Sequence, residues 1–431
     1  MAGRHDEAPR HARRLRGHGV ARAVGLAVTA VLLFGTTAVA ALGQRLQANL
    51  TTVDVSALVG PAPAASSSAV PGTPDQPGDP GAGRAMNILV IGSDQRDGEN
   101  AAIGGADSTM ASDTTIVVHL AADRSRVELV SIPRDSLVDI PSCTARNGRT
   151  TKPTPHAMIN KAFDLGWEAG GDTASAIACT WRTVQSATGL TIDHAVAVDF
   201  VGFQAMVGAV GGVRICIPRE LDDPKYTGLH LEPGWTVLDG STALQFARAR
   251  HGNIGNGDGT DLARLGNQQR LVAAIVDQVL SANVLANPAK LAAFLSAATA
   301  SLTVDAGLSL SGLTGLVWGL RSVGPGDITL MTIPTAPAPE NANRLVWSPE
   351  AAAVWANLSA DRPVVQSDGT LSPAPGATSS SPPRSPSAPA PSSPSAAAGS
   401  SLSSPTTPVP ARTRQAGAEP FTPADVTAVC G

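Results

Sequence analysis

The sequence predicts an α/β domain, because strand-like and helix-like apolar patterns both occur in its central part. Three apolar runs, Ile88–Ile91, Thr114–Leu120 and Val127–Ile132, have the length and composition of buried strands. Further along, Asp172 begins a segment with apolar residues at i, i+3, i+4 and i+7. A longer helix with the same periodicity is predicted from Asp261 to about residue 280. We therefore expect a sheet covered by helices.

Charged residues stand at or beside the ends of the three predicted strands. Asp94 and Arg96 follow the first strand, Asp113 precedes the second, and Arg134 and Asp135 follow the third. Carboxylates and guanidinium groups at the strand ends of an α/β sheet commonly form a site for an anionic ligand and a metal. Each of these residues taken alone is explained more simply as a turn residue or a surface ion pair.

The N-terminal part of the chain predicts a membrane anchor. Residues 1–22 are basic, and residues 23–43 carry no charge over a length that spans a bilayer as a helix. Arginines before this segment predict a cytoplasmic N-terminus and an extracytoplasmic domain in a single-pass protein of the cell membrane. A signal peptide cleaved after Ala38-Val39-Ala40 is the alternative, and both interpretations export the rest of the chain.

Composition divides the remainder of the 431 residues. Residues 44–85 form a predicted Pro/Ala-rich linker, and 86–358 form one folded domain whose main motifs lie within 86–280. Residues 359–420 are rich in Ser, Pro and Ala and are predicted to be disordered, while 421–431 form a short apolar tail. The net charge of -4 gives no support to nucleic-acid binding.

The four cysteines are expected to form disulfides in an exported chain. We favour Cys143 with Cys179, which bracket a loop-rich insertion, and Cys216 with Cys430, which would tie the tail to the domain. The sequence itself leaves all three pairings open. A zinc site is not expected, because no C-x-x-C spacing is present.

Six cations lie close to strand or helix ends. They are Arg96, Arg134, Lys161, Arg248, Arg250 and Arg264. Arginine is the preferred bidentate partner of phosphate oxygens. Two carboxylates with open positions, Asp94 and Asp113, suit a Mg²⁺ ion that bridges substrate phosphates. Together these residues predict a pyrophosphate ligand.

The long predicted helix adds polar residues on one side. Asp261, Arg264 and Gln268 are spaced i, i+3 and i+7 and share a face, although a dipole-favoured carboxylate with ordinary surface residues explains them equally well. Arg248 and Arg250 share a side only where the backbone between them is extended. No Walker loop, G-x-S-x-G elbow or H-E-x-x-H motif occurs, so nucleotide, serine-hydrolase and zinc-protease chemistries have no support.

Seven ordered segments resemble the motifs of the LytR–CpsA–Psr family. They are NILVIGSDQR, ASDTTIVVHL, VSIPRDSLVDIP, INKAF, IDHAVAVDFVGF, LDGSTALQFARARH and DLARLGNQQRL. The match extends from about residue 86 to residue 280, and residues 328–358 resemble the closing strand and helix of actinobacterial members.

The resemblance implies a three-layer α/β/α sandwich with a central mixed β-sheet, a single extracytoplasmic domain after the membrane helix. It implies a phosphotransferase that moves a glycopolymer from a polyprenyl-pyrophosphate carrier onto peptidoglycan, with the prenyl chain held between apolar helix faces. Asp94 and Asp113 would bind Mg²⁺, with Mn²⁺ as the alternative. The pyrophosphate ligands would be Arg96, Arg134, Arg248, Arg250 and Arg264, supported by Lys161, Asp261 and Gln268. Asp94 or Asp135 is a candidate for the base that accepts the proton of the attacking hydroxyl.

One departure from the family pattern concerns Ala111. The family commonly has arginine immediately before the Ser-Asp-Thr of its second motif, and this chain has alanine there. One phosphate contact would be missing or replaced by another cation. Two other functions therefore stay open, a pyrophosphatase that uses water as the acceptor and a non-catalytic protein that binds lipid-linked precursors. A transcription regulator is not supported, because no helix-turn-helix precedes the anchor.

Overall fold

The computed structural model describes most of the predicted domain and parts of both terminal regions. It describes residues 16–60, 79, 81–93, 100, 103, 110–250, 261–280, 288–366, 368–376, 417, 419–428 and 430. The predicted site residues Asp94 and Arg96 lie outside these ranges, and so does the side chain of Asp261.

The strands within the described residues are numbered in chain order. They are β1 (Thr51–Val53), β2 (Met86–Ser93), β3 (Ser112–Leu120), β4 (Val127–Ile132), β5 (Leu137–Ile140), β6 (Thr154–Met158), β7 (His194–Val198), β8 (Val213–Ile217), β9 (Leu221–Asp223), β10 (Leu229–Leu231), β11 (Gly234–Leu238), β12 (Leu302–Asp305), β13 (Ile328–Thr332), β14 (Thr335–Ala338) and β15 (Asn341–Trp347).

The helices are numbered in the same way. They are α1 (Arg16–Asn49), α2 (Ser56–Val59), α3 (Lys161–Gly170), α4 (Thr173–Thr188), α5 (Phe200–Ala209), α6 (Gly240–Arg248), α7 (Asp261–Leu280), α8 (Pro288–Ser301), α9 (Leu310–Gly319), α10 (Pro349–Ser359) and α11 (Pro423–Ala428). Asp172, Asp199 and Asp239 cap α4, α5 and α6, since each side chain accepts a hydrogen bond from a backbone N–H of the first turn.

A seven-stranded sheet in the order β1-β12-β7-β2-β3-β4-β13 forms the centre of the domain. The β2–β3 and β3–β4 pairs are antiparallel, whereas β7 pairs with β2 and β13 pairs with β4 in parallel. The predicted mixed sheet is therefore confirmed. All three strands predicted from the apolar runs are present, and each lies next to another in this sheet.

Helices cover both faces of the sheet. Alternate residues of a strand point to opposite sides, so apolar residues of one strand can pack against helices on both faces. In β2, Met86 belongs to one apolar core and Leu89 to the other. The first core includes residues of α5, α6 and α7, such as Phe246 of α6, and the second includes residues of α3, α4 and α10, such as Ile177 of α4. The domain thus has three layers.

The predicted linker differs from expectation at its start. Leu46 and Leu50 are buried, and Asn49 donates a hydrogen bond to Ser296 of α8 at 3.3 Å. β1 pairs in parallel with β12 at the edge of the sheet, and Leu58 of α2 is buried against the second core. Residues 44–60 therefore belong to the fold, because the apolar side chains spaced along this short stretch are buried against the domain.

The predicted membrane helix coincides with part of α1. In the part of the chain whose side chains are described, no helix meets the length and hydropathy needed to cross a bilayer. The anchor at residues 23–43 stays a prediction.

Residues after α10 are also more ordered than their composition predicts. Asp361 accepts hydrogen bonds from the Arg126 guanidinium at 2.5 Å and from the backbone N–H of Ala122 at 3.1 Å. Val364 is fully buried, and its backbone N–H donates to Glu128 at 2.7 Å. The predicted disorder of 359–420 is therefore wrong for the first residues of that range, which fold against the sheet.

The tail returns to the domain, and a strand contact and a disulfide are among the links that hold it. Phe421 is fully buried and exchanges both backbone hydrogen bonds with Leu330 of β13, at 2.7 and 2.8 Å. Cys430 is bonded to Cys216 of β8, and Cys143 is bonded to Cys179 of α4, with Cα–Cα distances of 5.9 and 5.2 Å. The favoured disulfide pairing is confirmed.

Candidate functional site

Asp113 is the centre of a cluster of charges at one end of the sheet. It lies near the start of β3, and the antiparallel pairing of β3 with β4 places Thr115 opposite Ile132. The start of β3 therefore lies beside the end of β4, after which Arg134 follows. The Arg134 Nη1 atom donates to Asp113 Oδ1 at 2.6 Å.

Arg264 reaches the same carboxylate from α7. Its Nη1 atom lies 3.2 Å from Asp113 Oδ1, and its Nη2 atom donates to the Asp113 carbonyl oxygen at 2.9 Å. The Arg264 side chain is only 3 % exposed, whereas those of Asp113 and Arg134 are 22 % and 24 % exposed. Two guanidinium groups thus converge on one carboxylate that keeps access to solvent.

The electrostatics of this cluster keep Asp113 ionised. Burial raises the pKa of the Asp113 carboxyl, but the charges and hydrogen bonds of Arg264 and Arg134 outweigh burial and hold the pKa below its ordinary value. The carboxylate is therefore charged at neutral pH, and it accompanies two guanidinium groups that match phosphate oxygens.

Gln268 lies one turn after Arg264 on α7 and joins this helix to its neighbours. It accepts a hydrogen bond from Thr114 Oγ1 and donates one to the carbonyl oxygen of Ala247, both at 3.2 Å. The predicted shared face of Arg264 and Gln268 is therefore confirmed. Asn267 donates to the carbonyl oxygen of Ala249 at 3.0 Å, which holds the end of α6 against α7.

Arg248 is the last residue of α6, and its guanidinium carbon lies 4.9 Å from the centre of the Phe200 ring. The next residue, Ala249, is extended, with φ −63° and ψ 130°. This is the backbone condition under which Arg248 and Arg250 can share a side. Arg248 also lines the cavity beside the charged cluster, which is described in the next paragraph.

A cavity of about 290 Å³ adjoins the charged cluster. Its polar lining includes Asp113, Arg248, Arg264 and Gln268. Most of its other lining residues are apolar and come from the sheet and from α5, α6 and α7; they include Val90, Ile116, Phe203, Met206, Leu244, Leu271, Val272, Ile275 and Val276. Such a cavity suits a ligand with an anionic head and an apolar chain.

The oxygen atoms at this site are of the type that binds a hard cation. Arg134 and Arg264 both contact the Oδ1 atom of Asp113, and the carboxylate remains 22% exposed. Ser93 and Ser112 are paired residues of β2 and β3, and both hydroxyl oxygens are buried with no hydrogen-bond partner. The described residues contain no group of three or more His, Cys, Asp or Glu side chains that could hold a metal. Ser93 and Asp113 nevertheless line the same cavity, and carboxylate and hydroxyl oxygens suit Mg²⁺, which retains waters and substrate phosphates as ligands.

For two other predicted residues, Lys161 and Asp135, the structure describes contacts with residues other than Asp113. Lys161 is the first residue of α3, where its side chain is exposed and interacts electrostatically with Asp164. Asp135 lies beside Arg134, with 3.9 Å between Asp135 Oδ2 and Arg134 Nε. The structure thus brings Arg134 and Arg264 into contact with Asp113 and places Gln268 in the lining of the same cavity. Asp135 adjoins this cluster through Arg134.

Arg344 is a site residue that the sequence reasoning missed. It lies on β15, and its Nη1 atom is 3.2 Å from Asp135 Oδ1. The backbone of β15 is held there because Leu345 donates a hydrogen bond to the carbonyl oxygen of Asp135 at 3.1 Å. Arg344, Asp135, Arg134, Asp113 and Arg264 therefore form a row of alternating charges. No local motif around Arg344 marks it, whereas Ser93 and Ser112 stand within two of the family-like motifs.

A mixed sheet with an arginine–carboxylate cluster beside an apolar cavity defines an α/β protein whose site suits an amphiphilic anion. The chain belongs to the LytR_cpsA_psr family, whose model matches residues 64–360.

Individual relatives are similar over part of their length. The cell wall biosynthesis protein LcpA of Corynebacterium glutamicum is 31% identical over 276 residues, which are 58% of this chain and 50% of the relative. The polyisoprenyl-teichoic acid–peptidoglycan teichoic acid transferase TagU of Oceanobacillus iheyensis is 30% identical over 197 residues, 46% of this chain and 52% of the relative. The chain thus spans about half the length of these curated relatives.

A solved structure agrees with the fold. The crystal structure of a protein from Streptococcus agalactiae is 18% identical, covers 64% of this chain and 87% of its own, and gives a TM-score of 0.50. This likeness supports the α/β architecture.

Proposed function

We propose that this protein transfers a glycopolymer from a polyprenyl-pyrophosphate lipid onto peptidoglycan. The observation that carries the proposal is the contact of Asp113 with Arg134 and Arg264 beside an apolar cavity. The cluster suits a pyrophosphate, and the cavity suits a prenyl chain. Family membership and the names of LcpA and TagU, a cell wall biosynthesis protein and a teichoic acid transferase, support the same function.

The residues of the cluster have separable roles in this reaction. Arg134, Arg248 and Arg264 bind pyrophosphate oxygens and stabilise the charge that develops on the leaving prenyl phosphate. Arg96 and Arg250 would add to them. A peptidoglycan hydroxyl attacks the phosphorus that carries the sugar, the bond from that phosphorus to the prenyl phosphate breaks, and a phosphodiester remains. The hydroxyl proton passes to a carboxylate, for which Asp135 and Asp94 are the candidates.

Mg²⁺ would be held by Asp113 together with Asp94, with Mn²⁺ as the alternative. Bound there, it supplies positive charge next to the phosphates. Gln268 and Asn267 orient α7 so that Arg264 points at the carboxylate, and Lys161 and Asp261 would support the array from its edge.

The N-terminal segment and the disulfides support a location at the cell membrane. Residues 23–43 would anchor the protein in the cell membrane, with the N-terminus in the cytoplasm and the domain outside. Two disulfides support an extracytoplasmic location, because such bonds persist in oxidising compartments. Protease added to intact wall-stripped cells should remove the domain, whereas survival of the domain would contradict this orientation.

The direct test uses the purified domain with Mg²⁺, a lipid-pyrophosphate-linked glycan and peptidoglycan fragments. We expect glycan covalently joined to the fragment, and no such product in the presence of EDTA. Release of free glycan phosphate without joined product would instead favour the pyrophosphatase. Binding of the lipid without turnover would favour the precursor-binding protein and would direct attention to Ala111.

The position of the cavity leads to a second prediction, which concerns binding of the lipid. Val276 lines it from α7, and Val276→Phe should fill it and weaken binding of a polyprenyl pyrophosphate at least tenfold. Val279 is a matched control, since it lies about one turn further on the same helix and packs on the core without lining the cavity. Lipid affinity and the thermal unfolding midpoint of both variants check this. Equal affinity in Val276→Phe and Val279→Phe would contradict a prenyl site here.

A further inference from the structure

Arg270 is a buried arginine to which the transfer reaction assigns no role. It lies on α7 between Gln269 and Leu271, and only 8% of its surface is exposed. Within the residues that the structure describes, its side chain forms no ion pair and no hydrogen bond. None of its guanidinium nitrogens is a fully buried atom without a partner, so the charged group still reaches solvent. Arg270 therefore combines a packed stem with a charged tip that no carboxylate neutralises.

A second arginine, Arg219, lies near the same part of α7. β8 packs on α7, and near the C-terminal end of that helix the backbone N–H of Arg214 donates to Gln278 Oε1 at 3.0 Å. From this hydrogen bond the chain advances about 16 Å in extended form to Arg219, while α7 leads back about 12 Å to Arg270. Arg219 is exposed and, in the described part of the chain, also has no ion pair.

The two guanidinium groups act on each other without a counter-charge between them. Burial and the positive charge of Arg219 both lower the pKa of the Arg270 guanidinium below its ordinary value, and no described carboxylate opposes this effect. The acidic residues that follow Arg219 face elsewhere, since Glu220 and Asp222 lie 3.8 and 3.4 Å from the Nδ1 atom of His230. A buried charge beside a like charge lowers stability, so an anion bound at this pair would stabilise the fold.

We infer that Arg219 and Arg270 form a second oxyanion site, which takes a phosphate group. Guanidinium groups match the oxygens of a phosphate with paired N–H donors. Arg270 follows Arg264 by six residues, which places it about 9 Å further along α7 and about 120° away around the helix. The second oxyanion site is therefore separate from the cluster at Asp113.

Two sources supply this chemistry, free phosphate and the phosphate groups of an anionic glycopolymer. The polymer as the source rests on the proposed function. A chain whose pyrophosphate is bound at Asp113 can extend around α7, and a phosphate further along it would then meet Arg219 and Arg270. The second oxyanion site would in that case select donors that carry phosphate along the chain.

The test measures binding and does not require transfer. The full chain, without Mg²⁺ or lipid, is titrated by calorimetry with inorganic phosphate and, separately, with a glycerol phosphate trimer joined by phosphodiesters. Both titrations use the Arg134→Ala protein, in which the cluster at Asp113 binds phosphate less tightly. We expect saturable binding of both probes, with the trimer bound more tightly. Adding Arg270→Met, which keeps an unbranched stem and removes the charge, should weaken binding at least tenfold.

Two further variants separate this site from a general effect of charge or of folding. Arg219→Met changes an exposed residue, so it should fold normally and still weaken binding at least fivefold. Arg214→Met is the matched control, because Arg214 is an exposed arginine of β8 whose guanidinium carbon lies 4.0 Å from the centre of the Trp235 ring. It removes the same charge and should leave the affinity within twofold.

The thermal unfolding midpoint gives an independent readout of the unpaired charges. In buffer without phosphate, Arg219→Met should raise the midpoint by about 2 °C, because it removes a repulsion. Added phosphate should raise the midpoint of the Arg134→Ala protein more than that of the same protein with Arg219→Met, because binding to the folded state stabilises it.

The outcomes distinguish this site from the transfer reaction. No saturable binding of either probe, or equal losses in Arg219→Met and Arg214→Met, would overturn the second oxyanion site. Binding of inorganic phosphate alone would support the site and overturn its assignment to the polymer. Failure of glycopolymer transfer would leave these titrations unaffected, and loss of the second oxyanion site would leave the assignment of Arg134 intact.

Discussion

Arg134→Ala should reduce glycopolymer transfer by about 10²- to 10³-fold, the cost of removing one aligned charge donor from a transition state. Arg134 contacts Asp113 at 2.6 Å, and its side chain remains a quarter exposed, so it can reach a ligand as well as the carboxylate. Arg264 would still neutralise Asp113 in the variant, which is why we expect the fold to survive. Single-turnover transfer rates and the thermal unfolding midpoint, measured on the same preparation, check this.

Arg321→Ala provides a control with the same change of charge. The Arg321 guanidinium lies over the Trp318 ring on an exposed surface, with 4.8 Å between its central carbon and the ring centre. Its removal should leave the transfer rate within twofold of the unmodified protein. A folded Arg134→Ala protein with normal turnover would refute the assignment of Arg134 to the pyrophosphate.

The parts of the site that the sequence predicts are those formed by neighbouring elements. Asp113 and Arg134 are in contact because β3 and β4 are consecutive antiparallel strands. The apolar runs that form these strands can be recognised in the sequence. Arg264 and Gln268 share a face through helical periodicity alone. What the sequence could not show is that α7 lies against β3, since that packing depends on the whole first core.

Arg344 illustrates the same limit more sharply. It reaches Asp135 because β15 lies beside the segment after β4, through the bridge between Ser136 and Leu345. These residues are far apart in the chain, and neither segment carries a local signal for its partner. Composition likewise hid Val364, because a single buried residue does not change the average of a Ser/Pro/Ala-rich segment.

Arg124 is a buried residue that fixes the turn between β3 and β4. It lies in this turn with a φ of 57°. Its side chain is only 3% exposed and forms a two-pronged pair with Asp79, through Nε at 2.9 Å and Nη2 at 3.2 Å. It also donates to the carbonyl oxygens of Gly81, Arg84 and Ala121. A residue of the predicted linker is thereby fixed to the sheet.

Arg124→Met should lower the free energy of unfolding by about 3–5 kcal/mol, because it leaves the Asp79 carboxylate buried without a counter-charge. Methionine keeps a Cβ atom, so the cost of the left-handed backbone at this position is the same in both proteins; glycine would relieve it and confuse the comparison. Denaturant unfolding with linear extrapolation measures the change. Asp123→Ala, in the same turn but with a side chain that bonds only locally to Ser125, should cost under about 1 kcal/mol.

The double variant Asp79→Leu/Arg124→Met decides whether the loss comes from the unpaired charge. Replacing both members of a buried ion pair by apolar residues is often nearly neutral, so the double variant should recover most of the stability lost in Arg124→Met. A double variant as unstable as Arg124→Met would show instead that the hydrogen bonds to the three carbonyl oxygens carry the effect. In that case Arg124 would stabilise the fold chiefly by closing the turn, and Asp79 would contribute little to holding the preceding segment on the sheet.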